Sequence, residues 1–149
     1  MMYFRNILAI VLGWFIGGMV NMSLVELGHK VYPIEGVDLN DMEALAKAMP
    51  DFSAENFIFP FLAHALGTLV GAIAAALIAG SRKKTLALVI GGLFLLGGIA
   101  VNIMLPGPIW FAILDILVAY IPMALLGWFI VSLLLGNKKE ELISDVIDD

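Results

Sequence analysis

The chain has 149 residues, 62% of them hydrophobic and 14% charged, with a net charge of −5 and a mean hydropathy of +1.02. Soluble domains carry about a quarter charged residues, so this composition excludes an ordinary water-soluble domain and points to a bilayer as solvent. The eight Lys and Arg are too few for a nucleic-acid surface, and the absence of cysteine rules out disulfides and thiolate metal sites.

Apolar residues arrive in four blocks, 6–26, 57–79, 85–105 and 109–135. Each supplies the roughly 20 residues needed to cross a hydrocarbon core, and only helices satisfy their own backbone groups there. The expected fold is all-α, a four-helix transmembrane bundle forming one membrane domain over 1–149.

The first block, "ILAIVLGWFIGGMV", continues through "NMSLVEL". It outlasts a signal-peptide core and meets no small-residue cleavage site, so it reads as an uncleaved span. Gly13 and Gly17 offer a close-packing face. Its end, "SLVELGHK", follows Asn21 and places Glu26 and His29 one turn apart.

The connection 30–56 is acidic, with Glu35, Asp38, Asp41, Glu43, Asp51 and Glu55. Within it "DLNDMEALAKAMP" predicts a short amphipathic helix, with Leu39, Met42, Leu45 and Met49 at helical spacing. Asp38 or Asn40 would cap it and Pro50 would stop it. A helix lying on the membrane surface is favoured over a lid closing on the bundle.

The second block, "FPFLAHALGTLVGA", brings His64 onto the face of Gly67 and Gly71, below an interfacial group of Phe57, Phe59 and Phe61. The third carries Gly91, Gly92, Gly97 and Gly98, then Asn102. "LPGPIW" is a tight turn that makes the last two spans a hairpin. The fourth holds Asp115 beside Ala112 and Ala119, and Pro122 predicts a kink. The tail, 136–149, predicts a weak acidic helix, with a docking peptide as the less favoured reading. "GGMVNM" in the first block and "GGIAVNIM" in the third resemble one another with a one-residue slip, a weak sign of a repeat.

Arg5, Arg82, Lys83, Lys84, Lys138 and Lys139 fall on one side of these spans, against Lys30 and Lys47 on the other. Positive residues stay inside, so both termini are expected in the cytoplasm (N-in/C-in). Counting along the helices then puts Glu26, His64, Asn102 and Asp115 in one layer of the outer leaflet. The inner half has little beyond Thr85, Tyr120 and Ser132. Ionisable groups at such depth mark function by default.

The expectation is an outward-facing polar pocket of Glu26, His64, Asp115, Asn102 and Asn21 that binds a small ligand, a metal ion or a proton, with transport as one use. Glu26, His29, His64 and Asp115 together form a donor set suited to zinc, iron or manganese. The competing reading is an accessory subunit whose polar layer fixes helix packing and whose loop or tail docks a protein partner. Whether the chain is an enzyme stays open, since no nucleophile elbow, P-loop or H-E-x-x-H occurs. Four spans leave little room for a private pocket, which favours a homo-oligomer in the lipid bilayer.

"NMSLVELGHKVYP", "FPFLAHALGTLVGA" and "MLPGPIWFAILD" together resemble a group of small four-span bacterial membrane proteins with no assigned activity. The resemblance covers nearly the whole chain and implies a plasma-membrane (bacterial inner-membrane) location.

Overall fold

Six helices account for most of the chain in the computed structural model, which describes residues 2–39 and 41–148, with side chains as far as Gly136. They are α1 (Met2–Val31), α2 (Met42–Ala48), α3 (Ile58–Ile78), α4 (Lys83–Met104), α5 (Ile109–Val118) and α6 (Ile121–Asp148). Four stretches are long and apolar enough to cross a membrane: Met2–Val31, Ala54–Ile78, Lys83–Met104 and Ile109–Gly136. The chain is thus an all-helical multi-pass membrane protein with no strand among the described residues. The side chains of the tail beyond Gly136, on which the docking-peptide reading depends, lie outside the described residues.

α1 runs past the expected end of its span. No glycine or proline interrupts it strongly before Pro33, and Lys30 reaches back to Glu26 at 2.8 Å within the helix. Thirty residues rise about 45 Å, more than the roughly 30 Å of a bilayer core. The stretch "VELGHK" therefore lies inside a helix, in its last two turns.

α3 is the central helix and packs on α1, α4 and α6. Small residues let α1 and α3 approach backbone to backbone. A Cβ on Gly13 would stand 2.8 Å from the Gly71 carbonyl oxygen, and one on Gly17 would stand 2.5 Å from that of Gly67. Gly127 brings α6 onto α3 in the same way, 3.0 Å from the Leu69 carbonyl. The buried centre is accordingly rich in alanine, with Ala72, Ala75, Ala76, Ala87 and Ala124 around Ile90 and Val131.

At the end holding the α3–α4 turn, Asn6 clasps the chain. Its Oδ1 accepts from the backbone N–H groups of Gly80 (3.1 Å) and Ser81 (3.2 Å), and its Nδ2 donates to Ser81 Oγ (3.0 Å). Lys83 Nζ donates to the Ala76 and Ala79 carbonyls, two of the orphan acceptors that end α3.

The fourth span is broken. α5 ends at Val118, Ala119 and Tyr120 form a turn, and α6 restarts at Ile121. Pro122 has no N–H for the Val118 carbonyl and its ring crowds the preceding turn, so the helix stops and begins again. At the opposite end of the bundle from Asn6, which we call the loop end, α2 and two 3-10 turns (Met49–Asp51 and Ala54–Phe57) connect α1 to α3. Asp41 caps α2, accepting from the N–H groups of Glu43 and Ala44.

Candidate functional site

The break in the fourth span gathers three polar side chains. His64 comes from the second turn of α3, Asp115 from α5 and Tyr120 from the turn. Side chains lean toward the N-terminus of their helix, so the Tyr120 ring reaches back along the span to the level of Asp115. It fits there because α4 carries glycine opposite: a Cβ on Gly98 would strike the Tyr120 hydroxyl.

Asp115 and Tyr120 are wholly buried, and the His64 side chain is 14% exposed. Tyr120 donates its hydroxyl proton to Asp115 Oδ2 at 2.6 Å. That proton is then spent, so in the 2.9 Å contact with His64 Nδ1 the Tyr120 oxygen accepts. His64 Nδ1 therefore carries hydrogen, shared between Tyr120 and Asp115 Oδ1 at 2.8 Å. In the neutral ring the lone pair lies on Nε2.

Among the described residues Nε2 makes no hydrogen bond, yet it is not sealed in. Thr68 Oγ1, one turn further along α3, is the buried side-chain polar atom left without a partner. The imidazole is thus clamped on one edge and open on the other.

His64 lines a cavity of about 190 Å³ at the loop end. Its walls are chiefly apolar and aromatic. Phe57 packs against Phe111 at a tilt of 41° and meets Trp110 edge-on, and Tyr32 meets Phe59 likewise. Leu45 and Met49 of α2 and its following turn, with Phe52, form part of the same lining. Polar atoms come from His64, His29, Asn56 and Asn102.

The residues singled out in the sequence are thus divided. His64 and Asp115 meet directly. Asn102 lines the cavity but gives its Nδ2 to the Gly98 carbonyl of its own helix at 2.9 Å. His29 stands at the cavity rim, exposed. Asn21 packs against Gly67 and borders a second groove.

Glu26 does not join the cluster. Its side chain is 71% exposed and paired with Lys30. It lies nine residues beyond Gly17, which at about 100° per residue is half a turn round α1 from the face that packs on α3. The expected metal ligands Glu26, His29, His64 and Asp115 are consequently not brought together. Among the described residues no group of three or more His, Asp or Glu is placed to hold a metal ion.

Tyr120 is the member that sequence reasoning missed. Its depth, about 7.5 Å of helix rise from Asp115, assigns its backbone to the other half of the membrane. The available signal was Pro122 two residues on, which marks the break, together with the backward lean of helical side chains.

Compared with protein-family models, curated proteins and solved structures, the chain matches none. The geometry alone carries the functional argument.

Proposed function

We propose that this protein binds a small, largely apolar molecule in the loop-end cavity and receives its one polar group on His64 Nε2. The carrying observation is the polarised imidazole: Nδ1 is fixed by Asp115 and Tyr120, while Nε2 is unpartnered and the ring borders the cavity. A mainly hydrophobic pocket with a few oriented polar groups is the usual form of a small-molecule site. The dyad would hold the ring so that Nε2 accepts from a hydroxyl or amine, or, when the ring is charged, donates to a carbonyl.

Several expectations fit this reading. Arg5, Arg82, Lys83 and Lys84, at the end away from the cavity, would put the cavity on the outer face of the membrane, with both termini in the cytoplasm. Leu45, Met49 and Phe52 would make the loop helix a cover to the cavity, in place of a helix resting on lipid. Binding is favoured over transport, because the centre of the bundle beyond Tyr120 is built of Ala, Ile90 and Val131 and offers ions no polar route.

A second reading has its own observation. Both Asp115 oxygens are paired inside the trio, as they would be if the trio only fixed helix register in an accessory subunit. One experiment separates the two. Detergent-solubilised parent and His64→Leu would be titrated with neutral C6–C10 alcohols, ketones and amines while thermal unfolding is followed. Ligand binding raises the parent's midpoint, by about 2.7 kcal/mol of added stability at one hundred times Kd, and His64→Leu abolishes the rise. No response in the parent across the panel, with His64→Leu strongly destabilised, would leave the structural role.

A further inference from the structure

His64 borders a second opening. A groove of about 230 Å³ runs along the side of the bundle between α1 and α4, and His64 and Tyr120 form its inner wall. Its flanks are Trp14, Met22, Leu93 and Val101, all exposed at the level of the spans.

The glycines explain why the groove exists. α1 has the pair Gly17–Gly18 and α4 the pair Gly97–Gly98. One member of each is consumed by packing, Gly17 against Gly67 and Phe94, Gly98 against Tyr120. The other member faces space: a Cβ on Gly18 or Gly97 would meet nothing within 4 Å. Neither is required for helix contact, and glycine in a helix interior costs about 1 kcal/mol relative to alanine.

We infer that the ligand reaches His64 sideways from the bilayer, as an amphiphile whose alkyl chain lies in the α1–α4 groove over Gly18 and Gly97 while its polar group meets His64. The inference rests on the binding role proposed for His64. Two features fix the occupant as a lipid chain. The groove is walled by helices apolar enough to span a membrane, so lipid is the medium that touches it. His64 lines both the groove and the loop-end cavity, so a chain lying in the groove can carry its polar group to the imidazole. From Trp14 to Met22 it extends about 12 Å along α1, enough for the upper part of a long alkyl chain whose remainder would lie in the bilayer.

The test uses two photoreactive probes in liposomes: hexadecanol and hexanol, each with a diazirine in its chain. Labelled residues are mapped by peptide mass spectrometry. Hexadecanol should label the segments around Met22 and Leu93–Val101, and excess unlabelled hexadecanol should compete it away in the unaltered protein. The double variant Gly18→Leu/Gly97→Leu should cut that labelling about tenfold, as a loss of about 1.4 kcal/mol of binding would. Its hexanol labelling of the Phe57–His64 segment should stay within about twofold. Gly18→Ala/Gly97→Ala, which adds a methyl group into open space at each position, should give a smaller loss.

Labelling by hexadecanol that is unsaturable, or unchanged in the leucine variant, overturns lateral access. If hexanol labelling of Phe57–His64 is still lost in His64→Leu, the binding role survives that failure. Should neither probe depend on His64, the binding role falls and lateral access falls with it.

Discussion

Gly98 and Tyr120 form one mechanical unit, and a double-mutant cycle exposes it. Tyr120→Phe keeps the ring and removes the hydroxyl, leaving Asp115 Oδ2 without its 2.6 Å donor at a wholly buried position. An unsatisfied buried acceptor costs about 1–3 kcal/mol, and polar contacts between membrane helices measure up to about 1.7 kcal/mol. A loss near 1.5 kcal/mol is expected. Gly98→Ala puts a methyl group onto the Tyr120 hydroxyl and within 3.0 Å of ring Cε2. The methyl displaces the ring from Asp115, so the variant loses the hydroxyl contacts and adds about 1–3 kcal/mol of overpacking, near 3 kcal/mol in all. Because Gly98→Ala already breaks what Tyr120→Phe removes, the double variant should also cost about 3 kcal/mol, some 1.5 less than the sum of the singles. Reversible unfolding in bicelles, followed by steric trapping, gives all four free energies. Additivity within about 0.4 kcal/mol would refute the claim that Gly98 acts by seating Tyr120 on Asp115.

Neighbouring glycines on α1 should behave oppositely. Gly17→Ala meets the Gly67 carbonyl at 2.5 Å and Gly71 Cα at 3.1 Å, backbone that no rotamer change relieves, and should cost about 2–3 kcal/mol. Gly18→Ala, facing open space, should be neutral or stabilising by up to about 1 kcal/mol; the same unfolding assay decides. Asn6→Ala should lower stability by about 1–2 kcal/mol by unpairing the Gly80 and Ser81 N–H groups. Asn6→Asp, which keeps the acceptor, should recover more than half of that. Elemental analysis of chelator-free preparations should show the same zinc, iron and manganese content in Glu26→Gln and His29→Ala as in the parent, because both side chains are exposed and apart from the His64–Asp115 pair. A near-stoichiometric metal lost from either variant would refute that separation.

The legible parts of this fold are those written in one dimension. Four apolar blocks, the Gly13/Gly17 and Gly67/Gly71 faces and the Pro-Gly-Pro turn each need only local spacing, and the helices and their close approaches follow. The shared depth of His64 and Asp115 was readable because both sit about one and a half turns below an interfacial aromatic. Rotation about the helix axis was harder. Glu26 has a depth similar to theirs, but grouping it with Gly18 and Met22 misjudged which side of α1 packs on α3. The contact face is the one carrying Gly13, Gly17 and Gly28, half a turn away. Tyr120 was concealed in another way, since its backbone lies five residues along the span from Asp115 while its ring spans the gap. Which member of a glycine pair is packed and which is open is a property of the neighbouring helix, and nothing in "GG" itself records it.

The helix break ties these observations to a mechanism. In an unbroken fourth span, residues five apart lie about 140° apart round the axis, and Tyr120 would point well away from Asp115. The Ala119–Tyr120 turn before Pro122 removes that constraint and lets the Tyr120 side chain, from the turn itself, bind Asp115 of α5. It also makes α5 a separate ten-residue lever. That lever carries Asp115 at the trio and Phe111 in the cavity wall, and it is anchored to α3 through the His64 pair and to the turn before α3 by the packing of Phe57 against Phe111. On the proposed binding role, a molecule in the cavity would press on Phe111 and one bonded to Nε2 would act on His64, so both contacts would bear on α5. The break thus supplies what the proposed binding role asks for, a histidine held on one edge by Asp115 and Tyr120 with its other edge free.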